Sequence, residues 1–95
     1  MTDTLTINND VKPKFPKHVK LKYNKPRDEW VILAPERLVK LDDIAVEILK
    51  LVDGITSVEE ISRLLAEKFA APQEVILKDV TNLLQTLAEK GFIIS

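Results

Sequence analysis

The chain has 95 residues, which is enough for one small domain and too few for two hydrophobic cores. Hydrophobic residues make up 45% of it and cysteine is absent, which excludes a disordered chain, a disulfide framework and a thiolate metal site, and we expect a cytoplasmic protein. The net charge of -1 is unevenly spread, because residues 11–27 hold seven basic and no acidic side chains; this segment is either a solvated strand edge and tail or a surface that steers an acidic partner.

Residues 1–16 are rich in Thr, Asn, Asp and Lys, contain Pro13 and Pro16, and lack an apolar period. Such a composition predicts a flexible N-terminal tail. We therefore expect the folded domain to span residues 17–95.

Three short strands are predicted after the tail. Alternating apolar and polar residues over 19–23 are typical of a strand with one buried face, and the apolar run 30–34 favours a central strand. Residues 37–41 form a third strand, and turn-forming residues separate the three. A three-stranded antiparallel meander is the simplest arrangement.

The apolar spacing then changes to that of helices. The first helix begins after the N-cap residue Asp42 and ends at Gly54. The second follows a Ser57 cap, and the third runs from Pro72 to Lys90. Residues 92–94 are predicted to form a short terminal strand. This order predicts an α+β, winged-helix-like fold, in which a three-stranded antiparallel sheet is followed by a three-helix bundle.

The third helix carries two apolar stripes, more than one packing partner needs. One stripe contains Ile76, Val80, Leu83 and Leu87, and the other contains Leu77, Leu84 and Ala88. Either the fold covers both stripes, or a part-open groove remains beside the third strand. An edge strand offers unpaired N–H and C=O groups, so such a groove would bind an extended peptide.

Catalytic chemistry is poorly supported by the sequence. His18 is the only histidine and stands between lysines, where a surface position is expected. The carboxylates at the starts of helices are explained by capping, and the two glycines form no phosphate-binding loop. We expect no catalytic residue, no metal site, no cofactor and no membrane span. Trp30, the only tryptophan, has either a core role or a binding role.

The segment RDEWVILAPERLVKLDDIA, from Arg27 to Ala45, resembles the PqqD family, the pyrroloquinoline quinone biosynthesis protein D, and the similarity covers nearly all of residues 17–94. Members of this family are small peptide-recognition domains for ribosomally made, modified peptides. The resemblance implies a chaperone without catalysis that binds the precursor peptide PqqA and presents it to the radical SAM enzyme PqqE, which crosslinks a Glu and a Tyr in that peptide.

In such domains the leader peptide adds as a strand beside the third strand and packs on the third helix. Carried over to this chain, the resemblance implies backbone pairing by Arg37, Leu38, Val39, Lys40 and Leu41. It also implies a facing wall of Leu77, Val80, Thr81 and Leu84. On this basis Leu84→Asp is expected to weaken peptide binding without unfolding the domain.

Two other classes of protein fit the order of elements. A winged-helix DNA-binding protein is disfavoured, because the third helix holds two basic and three acidic side chains where a recognition helix is normally basic. A carrier domain would need an exposed serine at a helix start, and the capping pattern already explains Ser57. The sequence leaves a dimer possible.

Overall fold

The computed structural model describes residues 5–35 and 37–95. In chain order the elements are β1 (Lys20–Asn24), β2 (Glu29–Ala34), β3 (Arg37–Lys40), α1 (Asp43–Leu49), α2 (Val58–Phe69) and α3 (Gln73–Glu89). A single 3-10 turn connects β1 to β2. The predicted α+β order of three antiparallel strands and three helices is therefore confirmed.

The sheet has the order β1-β2-β3, so β1 and β3 are its edges. Leu21, Ile32 and Val39 lie opposite one another in the register and share one face. Ile32 is fully buried and the other two are half-buried against the hydrophobic core, so this is the inner face. On the outer face Lys22 lies across from Val31.

The helices begin where their capping residues predict. The side chains of Asp42 and Ser57 each accept a hydrogen bond from the backbone N–H of the third residue of the following helix, at 2.8 and 3.2 Å. These bonds satisfy N–H groups that have no partner within the helix. The helix α3 begins directly after Pro72, one residue later than expected.

The helix α1 is shorter than predicted, because it ends at Leu49 and not at Gly54. The N–H groups of Leu51 and Val52 donate to carbonyls three residues earlier, both at 3.1 Å. Such bonds tighten the chain into 3-10-like turns. Val52 is still buried, so its apolar spacing indicates burial correctly but overstates the length of the helix.

A hydrophobic core fills the space between the sheet and the helices. It draws side chains from the inner face of the sheet, from all three helices and from both terminal segments. Its members with the least exposed surface are Ile32, Ile61, Val58, Val80 and Leu84. None of the helices in residues 5–35 and 37–95 is long and apolar enough to cross a membrane.

Residues 5–16, which the sequence analysis assigned to a flexible tail, instead form an N-terminal strap that packs against the domain. Ile7 is only 6% exposed and belongs to the core. The side-chain amide of Gln85 accepts a hydrogen bond from the Ile7 N–H at 2.9 Å and donates to the Leu5 carbonyl at 3.0 Å. The carbonyl of Pro13 accepts from the N–H of Gly54 at 2.8 Å. In the structure residues 5–16 thus pack with the domain that the sequence analysis expects to begin at residue 17.

The packing of the strap was not predicted from the sequence because its apolar residues follow no single period. Leu5, Ile7, Val11 and Phe15 are spaced by two or four positions between polar residues, and all four contact the core. The predicted terminal strand at residues 92–94 is also reduced. This segment forms one antiparallel bridge, between Ile94 and Lys14 of the strap.

Candidate peptide-binding edge

The main-chain groups of β3 alternate between β2 and the open edge of the sheet. The N–H of Leu41 donates to the carbonyl of Trp30 at 3.3 Å, so these two residues form a hydrogen-bonded pair. In an antiparallel ladder such pairs alternate with pairs that exchange no bonds. Given the register of β2 and β3, the N–H and C=O groups of Leu38 and Lys40 therefore point away from β2.

This alternation of backbone groups, the phase of β3, reduces the number of residues that can pair with a guest. Of the five residues expected to pair with a guest, Leu38 and Lys40 present free backbone groups, whereas Arg37, Val39 and Leu41 direct theirs toward β2. The two-residue turn before Arg37 carries this signal in the sequence, because the residues that flank such a turn form a hydrogen-bonded pair.

The outer edge of β3 pairs with no other strand in residues 5–35 and 37–95. The C-terminal segment does not close it, because Ile94 exchanges hydrogen bonds with Lys14, at 2.8 and 2.9 Å. Unpaired strand edges accept extended peptides readily. The geometry that strand addition needs is present.

A small cleft lies between α1 and α3, beginning two residues beyond the end of β3. Its volume is about 190 Å³. It is lined by Asp42, Ile44, Ala45, Ile48, Asp79, Asn82 and Leu83. Ile44 is 49% exposed, and the buried side chains of Ala45 and Ile48 form the base. The cleft is thus an apolar pocket with two carboxylates among its lining residues.

The predicted wall on α3 differs from the structure. Val80 and Leu84 have no exposed surface and belong to the core, so their side chains cannot contact a guest in this structure. Given this burial, Leu84→Asp is now expected to destabilise the fold. Val80 and Leu84 belong to different apolar stripes of α3, and both stripes contribute to the buried face of this helix, so neither stripe as a whole faces a guest.

Leu77 and Thr81 are half-buried but lie on another side of α3 from the cleft. They share a row with Gln85, whose side chain holds the strap. Leu77 and Leu83 are about 120° apart around the helix axis. The strap thus contacts the row that the resemblance assigns to a guest, whereas Asp79 and Leu83 belong to a different row, which lines the cleft.

The residues of the cleft were partly visible in the sequence. Ile44 is apolar and stands one helical turn before Ile48, a spacing that predicts a shared buried face, yet it lies on the first turn of α1, outside the buried set of Ala45, Val46, Ile48 and Leu49. Asp79 and Asn82 gave no signal, because isolated polar residues on a helix are normally solvated.

Trp30 lies away from this cleft. It is half-buried, its ring centroid is 5.4 Å from that of Tyr23, and the ammonium group of Lys50 lies 5.0 Å from it. The Lys68 ammonium donates to the Glu47 carboxylate, and with the nearby Lys50 it holds the pKa of Glu47 below its usual value. This cluster is a surface arrangement that packs Trp30 beside the end of α1.

Other candidates from the sequence take ordinary positions. His18 is exposed, and the Ser57 hydroxyl caps α2. In the part of the chain that the structure describes, no three His, Asp or Glu side chains converge as metal ligands would. The fold and its open edge therefore define a small α+β domain suited to receiving a strand.

Comparison with known proteins identifies the family. A family model described as coenzyme PQQ synthesis protein D (PqqD) matches residues 29–93. A PqqA binding protein of Bradyrhizobium diazoefficiens is 51% identical over 89 residues, which cover 94% of this chain and 86% of the relative. A PqqA binding protein of Xanthomonas campestris is 44% identical over 85 residues, covering 90% and 92%. This chain belongs to the PqqD family.

Two solved structures are similar to the fold. The solution structure of the PqqD truncation of Methylobacterium extorquens PqqCD, described as a functional and stand-alone recognition element for ribosomally synthesized and modified peptides, superposes with a TM-score of 0.82 at 36% identity. It covers 94% of this chain and 95% of that one. The crystal structure of PqqD from Xanthomonas campestris gives a TM-score of 0.58 at 42% identity and covers 90% and 96%.

Proposed function

We propose that this chain binds the precursor peptide PqqA by adding it as a strand to the outer edge of β3. The observation that carries the proposal is the pair of outward-pointing backbone positions, Leu38 and Lys40, on a strand that ends two residues before the first residue of the cleft between α1 and α3. The names of the relatives, PqqA binding proteins, support the choice of peptide.

The affinity expected from this geometry is moderate. Two residues with free N–H and C=O groups offer four main-chain hydrogen bonds, each contributing about 1 kcal/mol net. An apolar guest side chain that enters the cleft adds roughly 1.5–3 kcal/mol. These contributions sum to about 5.5–7 kcal/mol. Micromolar binding corresponds to about 8 kcal/mol after the cost of association, so a Kd on the order of micromolar or somewhat tighter requires that further apolar side chains of the guest are buried.

The same proposal includes a role in presentation, without catalysis. The bound peptide would be presented to the radical SAM enzyme PqqE in the cytoplasm, and this chain would supply no reacting group and no cofactor. Strand addition leaves much of the guest exposed to solvent, which suits handover to an enzyme.

Binding is tested by isothermal titration of the full chain with synthetic PqqA, followed by backbone NMR of the labelled protein. We expect micromolar affinity, with the largest amide shifts at Leu38, Lys40 and Ile44. If saturation with PqqA shifts the amide signals of Leu77 and Thr81 but not those of β3, the peptide binds instead on the strap side of α3.

Presentation and the alternatives need separate assays. PqqE and PqqA are incubated with and without this chain, and the crosslinked peptide is quantified by mass spectrometry; the chain should raise the yield and give no product without PqqE. Duplex DNA should bind only weakly, given the acidic α3. A dimer that paired its β3 edges would hide Leu38 and Lys40, so light scattering would show peptide and dimer competing.

A further inference from the structure

The outer face of the sheet, turned away from the helices, is both basic and apolar. By the register, its strand positions are Lys20, Lys22, Asn24, Glu29, Val31, Leu33, Leu38 and Lys40. Three of these eight are lysines and one is a carboxylate. This face is chemically unlike the acidic helical part of the chain.

An open cleft of about 360 Å³ occupies this face. Lys22 and Lys25 lie at its rim, and Leu33 and Leu38 line its sides. Val31 is only 2% exposed, so the apolar floor is recessed beneath longer side chains. The cleft can therefore receive a side chain that protrudes from another molecule.

The lysines of this face have no carboxylate partner in residues 5–35 and 37–95. The ion pairs among those residues all involve Lys50, Arg63 or Lys68, which lie on the helical side. An unpaired basic rim around an apolar recess is complementary to carboxylates that surround a single apolar side chain.

We propose that the outer face of the sheet is a second docking surface, which binds an acidic polypeptide whose apolar side chain enters the cleft over Val31. This surface is separate from the β3 edge, because a guest strand bonds sideways to β3 whereas this partner lies on the face of the sheet. A phosphate backbone has no group that fills an apolar recess, and a lipid surface is normally met by protruding side chains. An acidic protein segment satisfies both features.

The test is an NMR titration of the labelled full chain with a short synthetic peptide in which glutamates flank one phenylalanine. We expect amide shifts centred on Lys22, Val31 and Leu33, and binding that weakens as salt is added. A matched peptide with glutamines in place of the glutamates should bind about tenfold more weakly. Equal binding of the two peptides, or shifts centred elsewhere, would overturn the proposal.

Variants separate this surface from the general basic charge. Lys22→Glu and Leu33→Ser should each weaken binding of the acidic peptide about tenfold. Lys17→Glu makes the same charge change in the same basic segment but outside the cleft, and should change binding less than twofold. A loss with Lys17→Glu equal to that with Lys22→Glu contradicts a defined site.

Two further arms distinguish the other classes of partner. Duplex DNA and vesicles containing phosphatidylserine are titrated under the same conditions, and tighter binding of either than of the acidic peptide rejects a polypeptide partner. PqqA affinity should be unchanged in Lys22→Glu. Failure of this proposal can thus be told apart from failure of strand addition at β3.

Discussion

The alternation of backbone groups along β3 leads to a sharp experiment with proline. Proline has no N–H, so it is tolerated on an edge strand only where the N–H faces outward. Leu38 is such a position, whereas the N–H of Val39 points toward β2. Leu38→Pro should leave the domain folded and weaken PqqA binding, and Val39→Pro should disrupt the sheet.

The magnitudes follow from which hydrogen bond is lost. Leu38→Pro removes one donor to the guest and leaves a guest carbonyl unpaired, which costs about 1–3 kcal/mol, or roughly 5- to 150-fold in Kd. Its effect on the free energy of unfolding should stay within about 1 kcal/mol. Val39→Pro loses a ladder bond and strains a half-buried position, which costs about 3 kcal/mol.

Titration calorimetry with PqqA and urea unfolding measure the two effects independently. Leu38→Ala serves as the control, because it removes the same side chain and keeps the N–H. If folded Leu38→Pro binds PqqA as tightly as Leu38→Ala, the guest does not pair with this edge. If Val39→Pro folds normally and Leu38→Pro does not, the phase of β3 inferred here is wrong.

Four further predictions concern the core, the cleft, the strap and the loop after α1. Leu84→Asp should destabilise the domain by about 4 kcal/mol or more in urea unfolding. Ile44→Asp should leave the domain folded and weaken PqqA binding roughly tenfold in calorimetry. Unchanged PqqA affinity in Ile44→Asp would show that the cleft is not part of the binding site. Ile7→Ala should lower the free energy of unfolding by roughly 2 kcal/mol and Tm by about 10 °C, with no comparable change for exposed Thr6→Ala. The backbone N–H groups of Thr56 and Ile55 donate to the Asp53 carboxylate and lower its pKa below 3.8. The stabilisation from this carboxylate is therefore present above pH 3.8 and is lost as the pH falls through its lower folded pKa. Asp53→Asn should be less stable than the parent in unfolding measured near neutral pH, and the difference should shrink toward about pH 2.

The local signals for the start of each helix were reliable because they act within a few residues. Asp42 and Ser57 cap the helices that the sequence assigns to them. The end of α2 carried no such signal, since Ala70 adopts the left-handed conformation with φ 52° where glycine is usual. The position of Pro72 shortly after it was the one local indication.

Long-range packing was beyond the sequence pattern. The apolar residues of α3 predicted a large buried face. Whether the strap, the sheet or a guest covers each stripe depends on long-range contacts, such as the two hydrogen bonds from Gln85 to the strap, whose partners are 78 and 80 positions apart in the sequence. Periodicity identifies the faces of a helix and does not name the neighbour of each face. The open edge of β3 was predicted from the number of strands. The direction of its backbone groups had a signal in the short turn before Arg37, but the register of β2 and β3 was needed to establish it.

The strap also constrains the order in which the molecule can be completed. Leu5 and Ile7 are made early, yet the amide that holds them belongs to Gln85, and the bridge partner of Lys14 is Ile94. During translation the first segment cannot dock until Gln85 and Ile94 have left the ribosome. Closing so long a loop is entropically costly, so docking of this segment is expected as a late event in folding. In a nascent chain the strap should stay sensitive to proteases until Gln85 and Ile94 have emerged.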